Sequence, residues 1–322
     1  MPKIHFGGQS YDCEGKSVLD CLAAHNVILP SSCRAGVCQT CLMHATSGKL
    51  PENSQKGLKP TLAAQGYFLA CSCIPQEDLE IALPGNNVAK LSAQVLDIEP
   101  LNADIACVKL APERPLEYRA GQFINFFRDE STTRSYSLAS VPQIDNCIKL
   151  HVRKIPNGKV STWIHESLSS GDLVNISEAH GDCFYVSGNP EQGLLLIGTG
   201  SGLAPLYGIV QDALQQGHSG PIRLYHGSLE VAGLYLVDEL SELSRKYPNF
   251  SYIPCVSEQA VPEGFREGMV LDIALADIPN LSGWRIYLCG NPAMVKAAKN
   301  KTFLAGASMR DIYADPFLPA SA

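Results

Sequence analysis

Three features are missing from the sequence, and each absence excludes a class of protein. Basic residues are not in excess, because 25 lysines and arginines stand against 32 aspartates and glutamates and give a formal net charge of −7, whereas nucleic-acid-binding domains are basic. The longest apolar run, 193–210, is interrupted by glycines, a proline and hydroxyl residues, so it does not predict a membrane span. The first residues lack the apolar stretch and cleavage site of a signal peptide. We therefore expect a cytoplasmic protein that binds neither nucleic acid nor membrane.

Cysteine, by contrast, is plentiful. The chain has 12 cysteines in 322 residues, a high number for a cytoplasmic protein, whose thiols are normally kept reduced. Two or three domains of ordinary size can each bury a core, so disulfides are unnecessary. We expect some cysteines to be metal ligands and the singly placed ones to be small buried apolar residues. The singly placed cysteines are Cys13, Cys21, Cys107, Cys147, Cys183 and Cys255.

The stretch PSSCRAGVCQTC, at 30–41, places three cysteines in the spacing C-x4-C-x2-C. Cys33, Cys38 and Cys41 match the spacing of plant-type 2Fe-2S sites, whose last ligand is distant in sequence. A loop around such a cluster can point N–H groups at the sulfurs. Arg34 and Gly36 fit that loop, since Gly36 can adopt the positive φ that a tight loop requires. A zinc site needs two close pairs of ligands, which this spacing matches poorly. The pattern favours an iron–sulfur cluster.

Two cysteines compete to be the fourth ligand, and spacing alone does not separate Cys71 from Cys73. The segment resembles the plant-type ferredoxin domain, whose last ligand stands four residues before a proline. By this resemblance Pro75 selects Cys71, and Cys73 becomes a packed neighbour or a fallback ligand. The surrounding patterns predict a hairpin, a helix and a closing strand, and the resemblance implies a β-grasp ferredoxin domain over 1–86.

The segment 91–187 contains short strands at regular intervals, which predicts an antiparallel β-barrel or sandwich. Within it, Arg134, Tyr136 and Ser137 form R-x-Y-S, with Arg134 and Tyr136 on one face of a strand and Ser137 on the other. The motif resembles the flavin-binding motif of the ferredoxin–NADP reductase superfamily. That resemblance implies an FAD-binding β-barrel, with the arginine on the pyrophosphate, the tyrosine ring against the isoalloxazine and the serine at its reactive edge.

A second element of this segment, HVRKIPNGKVSTWIHESL, contains a turn followed by a helix start. Backbone N–H groups at a helix start, with nearby hydroxyls, suit a pyrophosphate; an ordinary β-turn with an N-cap is the alternative. The resemblance implies that the G-x-x-S element lies beside the phosphates, and that the residues before it reach the flavin ring mainly through backbone atoms. The residues concerned are Gly158, Val160, Ser161 and Thr162, and before them His151, Val152 and Arg153.

The segment 191–322 begins with an apolar strand, the glycine-rich turn GTGSGLAP and a helix. Phosphates are favoured at such a helix start, where glycines let backbone N–H groups approach. Leu203 replaces the third glycine of the Rossmann fingerprint, and the pattern instead resembles the pyridine-nucleotide domain of the same reductase superfamily. The turn residues are Gly198, Thr199, Gly200 and Gly202. Alternating strands and helices predict an α/β domain with a parallel sheet.

Two further places in this segment are candidate parts of a nicotinamide site. Cys289 and Gly290 end a predicted strand, at the sheet edge where ligands of open α/β sheets bind, and the resemblance puts this Cys-Gly beside the nicotinamide. Near the C-terminus, Asp315 and Phe317 match an acidic residue followed by an aromatic that covers the flavin. Because the chain continues past Phe317, a simple core-covering role for its ring is an equal alternative.

The choice of nucleotide depends on the segment after the second strand of this domain. A site for NADP usually carries an arginine there for the 2′-phosphate, but the first residues are Leu229 and Glu230, and the next arginine is Arg245. Glu230 repels a phosphate and can bind a ribose hydroxyl. The sequence therefore favours NADH.

Together the motifs predict an α+β multidomain protein that resembles the reductase components of bacterial multicomponent oxygenases. The resemblance implies that NADH reduces FAD, which passes electrons singly through the 2Fe-2S cluster to a terminal oxygenase or hydroxylase. It implies that Ser137 lies at flavin N5, with Cys289 and Asp315 near the nicotinamide. Two alternatives stay open: the same electron chain serving a deoxysugar-forming dehydrase or another one-electron acceptor, and a redox sensor or scaffold without enzymatic turnover.

Overall fold

The computed structural model describes residues 2–31, 34, 39–84, 90–129, 132–258 and 261–318. The chain forms two compact units, Met1–Asn87 and Val88–Ala322. Among the residues predicted to form the cluster loop, Cys33, Gly36 and Cys38 lie outside the described residues.

The N-terminal unit is built on a mixed five-stranded sheet with the order β2-β1-β5-β3-β4. Strands β1 and β5 are parallel, and the other neighbours are antiparallel. The predicted hairpin, helix and closing strand are confirmed as β1–β2, α1 and β5. The strands are β1 (Lys3–Phe6), β2 (Gln9–Asp12), β3 (Leu42–Ser47), β4 (Tyr67–Leu69) and β5 (Leu79–Ala82), and the helices are α1 (Val18–Ala24), α2 (Pro60–Ala64) and a 3-10 turn at Glu52–Gln55.

Helix α1 begins at an N-cap formed by Ser17. The Ser17 hydroxyl oxygen accepts a hydrogen bond from the Asp20 N–H over 3.1 Å, and Asp20 supplies a negative charge in the first turn, where the helix dipole favours it. The helix buries Val18, Leu19 and Leu22 in the core of the sheet. On its exposed side, Asp20 pairs with Arg34 of the predicted cluster loop.

A disulfide joins Cys13 to Cys21, with their Cα atoms 5.5 Å apart. Both residues are 1% exposed, so the prediction of buried residues is confirmed, but the prediction of unpaired thiols is wrong for this pair. Hydrophobic packing brings α1 onto the end of β2, and the contact leaves the two sulfurs within bonding distance. Among the other singly placed cysteines, Cys147 is half-buried rather than buried.

The second unit begins with six strands that form one antiparallel sheet in the order β10-β7-β6-β11-β8-β9. A bridge from Leu138, just after β9, to Leu150 of β10 joins its two edges, so the sheet is barrel-like. The predicted run of short strands is confirmed. The elements are β6 (Lys90–Pro100), β7 (Ile105–Pro112), β8 (Phe123–Phe127), β9 (Thr133–Ser137), β10 (Ile148–Arg153), α3 (Lys159–Glu166) and β11 (Leu173–Ser177).

The rest of this unit is a parallel six-stranded sheet in the order β15-β14-β13-β12-β16-β17. The predicted alternation of strands with crossover helices is confirmed. The strands are β12 (Leu194–Thr199), β13 (Ile222–Ser228), β14 (Phe250–Val256), β15 (Arg266–Glu267), β16 (Arg285–Gly290) and β17 (Ile312–Pro316). The helices are α4 (Leu203–Gln215), α5 (Val237–Lys246), α6 (Val270–Asp277) and α7 (Pro292–Leu304), with 3-10 turns at Gly200–Gly202, Val231–Gly233 and Met309–Asp311.

Strand β12 is apolar from Leu194 to Gly198 because helices cover both faces of the sheet. Leu194 and Leu196 pack into the core on one face, whereas Leu195 and Ile197 pack into the core on the other. The strand order reverses beside β12, where the chain first adds β13 on one side and later β16 on the other. Such a reversal leaves a crevice at the carboxyl ends of the two strands, which is where open α/β sheets bind ligands.

In the part of the chain that the structure describes, no helix combines the length and the apolar character needed to cross a lipid bilayer.

Candidate functional site

The glycine-rich turn after β12 lies directly against the end of β16. A Cβ atom on Gly202 would come 2.4 Å from the Cys289 carbonyl oxygen, and one on Gly290 would come 2.5 Å from the Thr199 carbonyl oxygen. Gly290 also has a φ of +113°, which side chains rarely tolerate. Only glycine permits this close approach, so the turn and the Cys-Gly segment form the two walls of the crevice.

Polar contacts hold the same walls together. The Thr199 hydroxyl oxygen accepts a hydrogen bond from the Asn291 N–H over 3.0 Å. Asn291 is the N-cap of α7, as predicted, and its side chain accepts from the N–H groups of Ala293 and Met294. The crevice is therefore bordered by two helix starts, which favour negatively charged groups.

Cys289 is the penultimate residue of β16 and is fully buried. Burial raises the pKa of its thiol well above the ordinary value, so the side chain is a neutral thiol. Its Sγ lies 3.9 Å from the Sγ of Cys183, which follows the barrel-like sheet. Cys183 is 5% exposed, so the prediction of a buried residue is confirmed. Its contact with Cys289 spans 106 positions, and no local pattern of the sequence predicts it.

Ser137, at the end of β9, meets Asp315 of β17. The Ser137 hydroxyl donates a hydrogen bond to Asp315 Oδ2 over 3.2 Å, and Asp315 stands opposite Cys289 in the register of β16 and β17. Burial raises the pKa of the Asp315 carboxyl, while the bond from Ser137 opposes that rise. The flavin-motif serine and two predicted nicotinamide-site residues thus lie together.

Phe317 follows β17 and is half-buried. Its backbone N–H donates to the Gly290 carbonyl oxygen over 2.8 Å, which holds the residue at the mouth of the crevice. Both predicted roles for the ring, covering the flavin and covering the core, are compatible with this position.

On β9, Arg134 and Tyr136 have different surroundings. Arg134 is exposed, with one guanidinium nitrogen donating to the Thr133 carbonyl oxygen. The Tyr136 ring packs edge-on against Phe126, with ring centres 6.1 Å apart, and burial raises the pKa of its phenol. A cationic group at the surface and an anchored, neutral aromatic ring therefore stand two residues apart on one strand.

Gly158, the N-cap of helix α3, lines a cavity of about 250 Å³. The hydroxyl of Thr162 and two cationic residues are among its lining residues, which are Arg128, Asn157, Gly158, Lys159, Thr162, Trp163 and Ser167. Val160 and Ser161 are buried, and the Ser161 hydroxyl oxygen accepts a hydrogen bond from the Ile155 N–H over 3.1 Å. Thr162 therefore faces the cavity, whereas Ser161 supports the turn.

The three residues at the end of β10 differ in what their side chains do. His151 and Val152 are buried, and Nδ1 of His151 lies 3.2 Å from the Tyr235 hydroxyl oxygen. Arg153 is exposed, and its Nη1 lies 3.3 Å from the position that a Cβ on Gly200 would occupy. The end of β10 thus adjoins the glycine-rich turn. Glu230, after β13, is exposed, as a ribose-binding residue must be.

In the N-terminal unit, Cys41 and Cys71 are brought together. The Cys41 thiol contacts both the thiol and the main chain of Cys71, and Cys71 is half-buried. Cys73, the rival ligand, is fully buried in the core of the sheet. Arg34 adopts a φ of +52°, so positive φ in the predicted loop is not confined to glycine.

Three family models match successive parts of the chain. A 2Fe-2S iron-sulfur cluster binding domain matches residues 4–76, an oxidoreductase FAD-binding domain matches 92–185, and an oxidoreductase NAD-binding domain matches 196–300. The reductase subunit of an aromatic O-demethylase from Amycolatopsis is 33% identical, over 99% of both chains. The chain belongs to this family of iron–sulfur flavoprotein reductases.

Other relatives of the reductase work in different systems. The ferredoxin–NAD(P)(+) reductase component of naphthalene 1,2-dioxygenase/salicylate 5-hydroxylase systems from Ralstonia is 33% identical, over 95% of this chain and 94% of the relative. A CDP-6-deoxy-L-threo-D-glycero-4-hexulose-3-dehydrase reductase from Yersinia pestis is 29% identical, over 99% of this chain and 98% of the relative. The crystal structure of an Amycolatopsis cytochrome P450 reductase superimposes with a TM-score of 0.71 at 31% identity, with both chains fully covered.

The main predictions from sequence are confirmed by this membership. The reductase is a multidomain α+β oxidoreductase with domains for 2Fe-2S, FAD and NAD, in the predicted order. It transfers electrons from NAD(P)H through FAD and a 2Fe-2S cluster.

The residues present fit these cofactors. Two thiols in contact match the soft ligands that an iron–sulfur cluster requires. An exposed guanidinium and an anchored aromatic ring suit a flavin dinucleotide. A crevice whose walls leave no room for a Cβ lets backbone N–H groups approach phosphates.

Proposed function

We propose that the reductase oxidises NADH and delivers single electrons to a terminal oxygenase or hydroxylase component. The observation that carries this proposal is the convergence of Ser137, Asp315 and Cys289 at the crevice of the parallel sheet. Relatives with oxygenase systems cover almost the whole chain, which supports the choice of acceptor. Bound FAD supplies the chemistry that connects a two-electron donor to a one-electron cluster.

Ser137 and Asp315 are proposed to act as one unit at the reacting edge of the flavin. While Asp315 is ionised, its carboxylate accepts the hydrogen bond from the Ser137 hydroxyl and fixes the orientation of that hydroxyl. The Ser137 oxygen then presents a lone pair away from Asp315, where it can accept a hydrogen bond from a ligand N–H. Cys289, a neutral thiol opposite Asp315, lines the nicotinamide side and excludes water.

Residues farther along the barrel-like sheet are proposed to hold the rest of FAD. Arg134 pairs with the pyrophosphate, since its guanidinium is exposed and always charged. Tyr136 offers a ring fixed against Phe126. The start of α3, with Gly158 and the Thr162 hydroxyl beside their cavity, takes a phosphate or ribose group. Main-chain atoms at His151, Val152 and Arg153 border the isoalloxazine, and Phe317 covers its other face.

The glycine-rich turn is proposed to bind the phosphates of NADH. Gly198, Thr199, Gly200 and Gly202 bring backbone N–H groups to the start of α4. The exposed carboxylate of Glu230 supports NADH over NADPH, because it can accept from a ribose hydroxyl and repels a 2′-phosphate.

Cys33, Cys38, Cys41 and Cys71 are proposed as the ligands of the 2Fe-2S cluster. The contact between Cys41 and Cys71 and the full burial of Cys73 favour Cys71 as the fourth ligand.

Domain boundaries are proposed at 1–86, 91–187 and 191–322. A β-grasp ferredoxin fold for the first domain is supported by its mixed sheet and its helix α1, and a β-barrel for the second by the bridge that joins its edge strands. The parallel sheet supports an α/β nucleotide domain for the third. The cytoplasmic location stays a prediction.

Reconstitution with candidate acceptors tests the function. Purified oxygenase or hydroxylase components encoded near the reductase gene are mixed with the reductase, NADH and their aromatic substrate, and hydroxylated product is quantified. Product is expected only when all components are present, and NADPH should support a lower kcat/KM than NADH. Reduction of an artificial one-electron acceptor without product from any oxygenase would contradict the proposed partner while leaving the electron chain intact.

A second acceptor is favoured by one observation, the similarity to a CDP-hexulose dehydrase reductase over almost the entire chain. The same reconstitution, with a sugar-nucleotide dehydrase in place of the oxygenase, distinguishes the two. NADH-dependent deoxygenation of the sugar nucleotide would support the dehydrase.

A further inference from the structure

Two histidines of the parallel-sheet region have matching surroundings but lie at opposite ends of β13. His226, inside β13, is fully buried, with Nδ1 3.2 Å from the Tyr252 hydroxyl oxygen. His218, before β13, is 4% exposed, with Nδ1 3.1 Å from the Tyr185 hydroxyl oxygen. In each, Nε2 is buried and completes no hydrogen bond of ordinary geometry with a residue that the structure describes.

The main-chain segments beside the two imidazoles are different. The His226 ring lies against the backbone of Gly200, in the glycine-rich turn, and the register of β12 and β13 pairs His226 with Gly198. The His218 ring lies against the backbone of Gln192, before β12 and therefore at the far end of the sheet. Of these two histidines, only His226 lies beside the crevice.

A buried nitrogen without a partner costs free energy, so its position calls for a physical reason. Gly200 has a φ of +54° and no side chain, so its backbone can reorient more easily than that of a residue with a Cβ atom. The Gly200 carbonyl oxygen already accepts a hydrogen bond from the Leu203 N–H at the start of α4, and a small rotation of this peptide would turn its second lone pair toward His226 Nε2. The same rotation changes where the neighbouring N–H groups of the turn point.

The His226 ring cannot move to meet the turn, because it is fixed on its other side. The ring of Tyr235 packs edge-on against it with centres 5.5 Å apart, and packs in the same way against His151 of β10 at 5.4 Å. Burial lowers the pKa of His226 to about 3, so the ring is neutral and carries one proton. The Tyr252 hydroxyl can donate to Nδ1, which leaves the proton on Nε2.

We propose that His226 is a positioning residue for the dinucleotide: its Nε2–H donates to the Gly200 carbonyl oxygen when the turn closes on the phosphates of NADH. The inference rests on the proposed function, in that Gly198–Gly202 is the phosphate-binding turn. His226 does not touch the nucleotide, and its effect is on affinity rather than on hydride transfer.

The test compares NAD+ binding by calorimetry in the FAD- and cluster-loaded protein. His226→Phe should weaken binding about fivefold to tenfold, the value of one hydrogen bond, with an unchanged flavin-reduction rate at saturating NADH. His226→Gln keeps a donor near the position of Nε2 and should restore most of the affinity. His218→Phe is the matched control and should bind NAD+ like the wild type.

Unchanged binding in His226→Phe would overturn the inference, as would an equal loss in His218→Phe or a failure of His226→Gln to restore affinity. If His226→Phe does not retain flavin, Tyr252→Phe carries the test: it removes the hydroxyl that sets the tautomer and should weaken binding about threefold, whereas unchanged binding overturns the proposal. Ser201→Glu, within the turn, tests the underlying site separately. If this added charge leaves affinity unchanged, the turn is not the phosphate site; if it weakens binding and His226→Phe does not, only the role of His226 fails.

Discussion

Replacing Ser137 by alanine removes the hydroxyl that links β9 to Asp315. Its bond spans 3.2 Å and ends on a half-buried carboxylate, which places it at the lower limit of charge-assisted hydrogen bonds, about 1.5 kcal/mol. If this energy stabilises the transition state of flavin reduction and not the ground state, Ser137→Ala should slow flavin reduction by NADH about tenfold. FAD should still be bound.

A double-mutant cycle distinguishes a functional unit from two independent residues. If Ser137 and Asp315 act together, Ser137→Ala, Asp315→Asn and the double variant should each be slower by about tenfold. Independent roles would multiply to about a hundredfold in the double variant. The pH profile gives a second readout: loss of the Ser137 bond raises the pKa of Asp315 further, so an acid limb due to this carboxyl should move to higher pH.

The assay is anaerobic stopped-flow absorbance of the oxidised flavin at saturating NADH. Ser135→Ala is the matched control, because Ser135 lies on the same strand and donates to Asn125 Oδ1 over 2.8 Å, away from Asp315. It should reduce at the wild-type rate. An unchanged rate in Ser137→Ala, or fully multiplicative losses in the double variant, would show that Ser137 and Asp315 do not act as one unit.

Three other predictions concern the cluster, acid stability and the disulfide. Cys71→Ser should abolish the visible circular dichroism of the 2Fe-2S cluster while Cys73→Ser keeps it, and the reverse pattern would exchange their roles. The pKa values of His151 and His226 fall from 6.5 to about 3 on folding, so the unfolded chain binds more protons below pH 6.5. Each histidine should cost about 2 kcal/mol of stability at pH 5; urea unfolding that is equally resistant at pH 5 and pH 7.5 would contradict this. Reducing the disulfide of the N-terminal unit, whose cysteines are 8 residues apart, should destabilise that unit by about 2.5 kcal/mol, measured by the unfolding of reduced and oxidised protein; equal stability would contradict a disulfide in solution.

Local patterns were sufficient to predict most of the fold. Apolar runs and alternation predicted β12 and the short strands of the barrel-like sheet, because a strand buried on one or both faces must carry that pattern. Asn291 and Pro292 predicted the start of α7, because a helix start needs an acceptor for its free N–H groups.

Contacts between distant parts of the chain could not be predicted in this way. Ser137 and Asp315 are 178 positions apart, and Cys183 and Cys289 are 106 apart, so no periodicity relates them. The link between Cys13 and Cys21 depends on how α1 packs onto the sheet rather than on their spacing. The resemblance to the reductase family predicted a role for Ser137 and a role for Asp315 separately. Only the folded structure shows that the two side chains form a hydrogen bond.

Anaerobic mixing of the cluster- and FAD-loaded reductase with NADH tests the order of electron transfer, followed by absorbance and by electron paramagnetic resonance of rapidly frozen samples. We expect flavin absorbance to bleach first and the signal of a reduced 2Fe-2S cluster to appear afterwards, with the cluster signal lost in Cys71→Ser. A flavin that is reduced while the wild-type cluster stays oxidised would contradict electron transfer from FAD to the cluster.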